Sequence, residues 1–181
     1  PQGLSYNGGP FVFTRTVEIA PVAPTSQGGP VTAWSVAPPL PAGLALDAVN
    51  GRLTGTPTAV TPSAGYTVTA TNSGGSTTAN VFITVVDVAP SALTYAPSGS
   101  QTWTLGSLIT TLVPVVSGGP VVSWSIAPAL PTGVSIHATT GVISGTPGVV
   151  AALRGYTVTA TNSGGATTAT LTARVNAPVP P

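Results

Sequence analysis

The chain has 181 residues, of which 42% are hydrophobic and only 4% charged, with Gly 22, Pro 20 and no Cys. Its charges are Arg15, Arg52, Arg154, Arg174, Glu18, Asp47 and Asp87, for a net charge of +1. This inventory excludes a basic face for nucleic acid, disulfides or thiolate metal sites, intrinsic disorder and a membrane-spanning run of about 18 apolar residues.

In chain order, the first expected strands hold Leu4 and Tyr6, then residues 14–19 (Thr-Arg-Thr-Val-Glu-Ile) and 31–36 (Val-Thr-Ala-Trp-Ser-Val). The proline cluster at 37–41 cannot lie in a central strand and reads as a fixed crossover between sheets. Asn50-Gly51 sits between 44–46 and 52–54 as the turn of a short hairpin. Residues 66–71 alternate strictly, Tyr66, Val68 and Ala70 on one face and three threonines on the other, as in a half-buried strand. Asn72-Ser-Gly-Gly75 supplies the next turn, and 76–86 returns as the partner strand.

The series then repeats. Trp34 recurs as Trp124, Gly55-Thr-Pro57 as Gly145-Thr-Pro147 and Tyr66 as Tyr156, all offset by 90 residues. Pro1 to Tyr6 matches Pro90 to Tyr95 at an offset of 89. The copies therefore run 1–89 and 90–181, the second with a proline-rich tail. Each is long enough for a core of its own, unlike a solenoid unit. Short strands with turns about every 8 to 12 residues indicate an all-β chain of two tandem antiparallel β-sandwich domains.

Three blocks occur in the same order in both copies: Trp-Ser-Val/Ile-Ala-Pro-x-Leu-Pro-x-Gly, Leu/Ile-x4-Gly-x-Leu/Ile-x-Gly-Thr-Pro, and Gly-Tyr-Thr-Val-Thr-Ala-Thr-Asn-Ser-Gly-Gly. They make the chain resemble the bacterial immunoglobulin-like (Ig-like), cadherin-like tandem-repeat family of large surface and secreted proteins. The resemblance implies Ig-like sandwiches, no catalytic residues, and use as a structural or adhesive module outside the cell.

The residues themselves offer little chemistry. His137 is the single histidine, and Asp47 holds its place in the first copy; both precede a hairpin turn, where a polar side chain bonds nearby backbone. Three acids give neither paired carboxylates for hydrolysis nor the six to eight oxygens that Ca²⁺ takes, so no enzyme, metal or cofactor is expected. Trp34 and Trp124 read as core tryptophans. Phe13 and Trp103, equivalent and in a less patterned segment, are candidate exposed rings for a glycan or subunit contact.

The missing charge implies association. A soluble surface is usually about 25–35% charged, and uncharged sheet edges invite pairing. The expectation is an extracellular or cell-surface filament built by head-to-tail self-association, or by contact with neighbouring Ig-like repeats. Terminal strands around Leu4 and Tyr6, or around Val175 and Pro178, are candidates for insertion into the next subunit. The chain starts at the equivalent of Pro90 and stops where a third repeat would open, as expected of a filament subunit or an excerpt from an array. A spacer or stalk in a large adhesin and a carbohydrate-binding surface module are the alternatives, and O-linked glycans on the many Thr and Ser residues are a second explanation of the sparse charge. No nucleic acid and no membrane insertion are expected.

Overall fold

The computed structural model describes residues 1–180 as an all-β chain with two compact units, Pro1–Asp87 and Val88–Pro181. The first holds β1 (Gln2–Tyr6), β2 (Phe11–Thr14), β3 (Pro24–Gln27), β4 (Ala33–Ala37), β5 (Leu44–Leu46), β6 (Leu53–Gly55), β7 (Thr61–Asn72) and β8 (Gly75–Val86). The second repeats the series as β9 (Ser91–Ala96), β10 (Gln101–Thr104), β11 (Val113–Ser117), β12 (Ser123–Ala127), β13 (Val134–Ile136), β14 (Ile143–Gly145), β15 (Ala151–Asn162) and β16 (Gly165–Asn176).

One layer of each sandwich is a four-stranded sheet, in the order β2-β8-β7-β4 and then β10-β16-β15-β12. Its centre is the long hairpin whose turn is Asn72-Ser-Gly-Gly75, with Asn72 paired to Gly75 and Tyr66 to Val81. The alternation seen in the sequence sets the faces: Tyr66, Val68 and Ala70 are buried, and Val68 is 0% exposed. Burying each such valine or isoleucine contributes about 1.5–3 kcal/mol. The second layer is built from β1-β3 and β5-β6, linked by an antiparallel bridge between Val22 and Leu53. Leu4 and Leu53 from this layer pack in one cluster with Val68, Val81 and Ile83 from the other. The proline clusters do carry the chain from one layer to the other, from β4 to β5 and from β12 to β13.

Two expectations change. The sheets are not wholly antiparallel, because β2 runs parallel to β8 and β10 parallel to β16. Residues 14–19 are not a strand. β2 ends at Thr14, Thr16 takes a left-handed φ of 65°, and Val17 N–H donates back to Thr14 O at 3.2 Å. The chain thereby leaves one layer and reaches the other, where Ile19 N–H donates to Gly55 O at 2.9 Å.

Candidate functional site

The few ionisable side chains are dispersed. Arg15 pairs with Asp87 at 2.6 Å within the first unit. Asp47 closes the β5–β6 turn, its Oδ1 accepting the Val49 and Asn50 N–H groups at 2.8 and 3.2 Å. These backbone donors hold its carboxyl below the usual range, and the Arg52 charge adds a smaller lowering. His137 does the same work in the second unit: its Nδ1 accepts from the Thr139 and Thr140 N–H groups, both at 3.3 Å. Among the described residues no three of His, Asp and Glu gather at one place.

The same turn explains two of the shared sequence blocks. Gly141, at φ 71°, lies flat on the indole of Trp124, where a Cβ would stand 2.4 Å from the ring. Tyr95 Oη then donates to Gly141 O at 2.7 Å, and Tyr6 Oη to Gly51 O at 2.5 Å. Burial pushes both phenols from their ordinary 10.0 up to about 12. Tyr95→Phe should destabilise the second unit by about 1–3 kcal/mol, because the Gly141 carbonyl loses its partner inside the protein. The sign with pH follows. The unfolded phenol ionises first, so this contribution is complete below pH 10 and is lost as pH rises from 10 toward 12. Urea midpoints measured from pH 8 upward should fall more gently in Tyr95→Phe than in the parent.

The residues singled out for contact divide. Trp103 is 4% exposed and belongs to the second unit's core, so it is not a ring offered to a sugar. Phe13 is half-buried against the first core and stacks on Phe11 with centroids 5.8 Å apart. The parallel pairing of β2 and β10 turns both side chains inward, a placement the sequence does not signal. Leu4 is buried, and Tyr6 is held by its bond to Gly51. Val175 is 1% exposed and its strand is paired on both sides, to β10 and β15. Insertion of β1 or of residues 173–176 into another subunit would have to displace pairing already made within the chain. Pro178 lies beyond β16, exposed, beside Val179.

What each unit presents outward is almost free of charge. The outer face of the first four-stranded sheet carries Thr67, Thr69 and Thr71 on β7, Thr78, Asn80 and Phe82 on β8, and Ser35 on β4. Apolar side chains stand in solvent as well: Val12 at 64%, Phe82 at 52%, Leu108 at 78% and Val122 at 66% exposure. The edge strands β4 and β12, Ala-Trp-Ser-Val-Ala and Ser-Trp-Ser-Ile-Ala, hold no charge to discourage pairing.

Sequence reasoning missed one feature. Asn162, read only as part of a turn, is 6% exposed. Its Nδ2 donates to Val88 O at 2.8 Å and to Pro120 O at 3.2 Å, while Gly164 N–H donates to its Oδ1 at 2.8 Å. The repetition of Asn-Ser-Gly-Gly and of Gly-Gly-Pro at matching places in both copies was the available signal.

Comparison with known proteins agrees with this architecture. The model of the Putative Ig domain family matches residues 1–86 and again 90–176, so the chain belongs to that family as two tandem repeats. No curated protein matches the sequence. The extracellular domains 3–5 of Drosophila OTK share the fold, with a TM-score of 0.54, 20% identity and coverage of 96% of this chain. The chain spans 62% of that OTK fragment. The titin domains Z1Z2 solved with telethonin match at 23% identity over 98% of each chain, with a TM-score of 0.42. The insect immune protein hemolin matches at 18% identity over 97% of this chain and 46% of its own, with a TM-score of 0.47. Ig-like domains are typical of adhesion or structural proteins and are generally non-enzymatic.

Proposed function

We propose that the chain is a non-enzymatic structural module of a bacterial extracellular filament or cell-surface fibre, assembling head to tail through its Ig-like repeats. The observation that supports this reading is the surface. Each unit buries a complete core, yet its outer faces and edges carry few charges and several exposed valines and leucines. With little like-charge repulsion, association of copies is opposed weakly, and contacts between different patches propagate into fibres when the rotation does not close.

Negative-stain electron microscopy of the purified chain tests the proposal. Filaments with an axial repeat of one or two domains are expected. Dispersed two-domain particles at every concentration would overturn it and favour a spacer within a large adhesin.

A further inference from the structure

Each four-stranded sheet is closed along only part of one edge. β2 pairs with β8 over residues 83–86, and β10 with β16 over residues 173–176. The stretches before them, 75–82 and 165–172, pair on one side only, with β7 and β15. The strand period decides which backbone groups this leaves open. Val86 O accepts from Arg15 N–H at 2.8 Å and Asn176 O from Leu105 N–H at 2.9 Å, so both residues turn their backbone away from the hairpin partner. Every second residue does the same: Ser76, Thr78 and Asn80 on β8, and Ala166, Thr168 and Thr170 on β16. Their N–H and C=O groups form an outward row on which another strand can add.

Other edges are blunted where these are not. β1 and β9 carry register shifts, and on β12 the Trp124 N–H already donates to Ala138 O at 3.0 Å. The free stretches hold no proline and no charge, and their pairing to β7 and β15 runs without a register shift. Each also ends beside open space. A cavity of about 340 Å³ lies between residues 80–82 and the β1–β2 loop, and one of about 320 Å³ lies beside residues 169–171. The free edge and its cavity are internal to the repeat and occur in both units.

We propose that the free edge of β8 in one copy pairs antiparallel with the free edge of β16 in a second copy, with Thr78 opposite Thr168 at the centre. This register sets Ser76 against Thr170 and Asn80 against Ala166, for about six backbone hydrogen bonds. The chemistry favours a second copy as the occupant. Both edges are neutral, so they do not repel one another, and neither offers a charge by which to select a charged peptide. Threonine opposite threonine is a favourable cross-strand pair. Phe82, 52% exposed, comes level with the second copy's Gly164, so the hairpin turn of each strand reaches the cavity beside the other's edge. Joining a first unit to a second unit leaves one edge open on each copy, and the contact repeats into a fibre. This inference rests on the head-to-tail reading and names its contact.

Sedimentation velocity over a concentration series tests it with the parent, Thr78→Pro and Thr168→Pro. Both threonines are exposed. Proline at either place removes an outward N–H and spares the ladder to the hairpin partner, so the melting temperature should hold. The parent should form species that grow with concentration. Each variant keeps one usable edge and should stay monomeric alone, whereas an equimolar mixture of the two should give a dimer and nothing larger. Dimers of a single variant would mean that like edges pair, and would overturn the β8–β16 joint. Polymers from either single variant overturn edge pairing and leave head-to-tail assembly to another contact. A parent that is monomeric at every concentration overturns both. Should a proline lower the melting temperature, a chain carrying Thr78→Lys and Thr168→Lys decides instead. Its two lysines face each other as like charges across the joint, and growth equal to the parent's overturns the pairing.

Discussion

Gly145→Ala is expected to remove a large share of the second unit's stability while leaving the first intact. A Cβ at Gly145 would stand 2.1 Å from Gly133 O and 2.9 Å from Val134 Cα, and the residue holds φ at 134°. Its neighbour gives no room, since a Cβ on Gly133 would itself fall 2.0 Å from Thr146 O. These two backbones approach because Thr146 N–H donates to Gly133 O at 2.9 Å and Gly148 N–H to Thr132 O at 2.8 Å. The opposing atoms are backbone, so relief requires pulling β13 from β14 and breaking the Ile109 N–H bond to Gly145 O. A loss above about 4 kcal/mol is expected, in the range reserved for strained backbone and severe overpacking. For a unit of ordinary stability, about 5–15 kcal/mol, that is a large share of the total. Urea denaturation followed by tryptophan fluorescence reads both units, Trp34 in the first and Trp103 and Trp124 in the second. Gly155→Ala is the control: a Cβ there would meet nothing closer than Thr170 Cγ2 at 3.9 Å, and it should be nearly silent. A loss below about 1 kcal/mol for Gly145→Ala would mean that the two loops separate without cost.

Those two glycines also show what kind of information the sequence carries. The Leu-Pro-x-Gly and Gly-Thr-Pro blocks are visible as repeats, but that they exist to press Gly43 on Gly55, and Gly133 on Gly145, is a tertiary fact. The long hairpins were legible because period-two alternation and Asn-Ser-Gly-Gly are local signals. Residues 14–19 misled for the same reason: Thr-Arg-Thr-Val-Glu-Ile alternates like a strand. The second copy held the correction, since Gly106, at φ 75°, occupies the place of Thr16 and marks a left-handed turn. The parallel partners of β2 and β10 lie about seventy residues away, and no periodicity encodes such a pairing. The clasp that Asn162 forms stayed hidden because asparagine before a glycine pair reads first as a turn. The burial of Asn162 and its bond to Val88 O, where Asn72 reaches Gly29 O instead, separate clasp from turn.

Trp103→Ala should cost the second unit about 3–5 kcal/mol, the usual range for deleting a large buried aromatic. The ring is 4% exposed among Leu93, Tyr95, Ile109 and Val175 in one cluster. An exposed ring waiting for a sugar would behave otherwise, its removal staying within about 0.5 kcal/mol. Trp103→Phe separates packing from polarity. The buried indole Nε1 has no hydrogen-bond partner, and such a donor costs about 1–3 kcal/mol. Phenylalanine gives up some volume but removes that donor, and Phe13 already fills the equivalent place in the first unit. The two effects oppose, so Trp103→Phe should lie within about 1 kcal/mol of the parent. Chemical denaturation of the three proteins decides it. A large loss for alanine with a small one for phenylalanine makes position 103 a packing site, and an alanine variant as stable as the parent would return it to the surface.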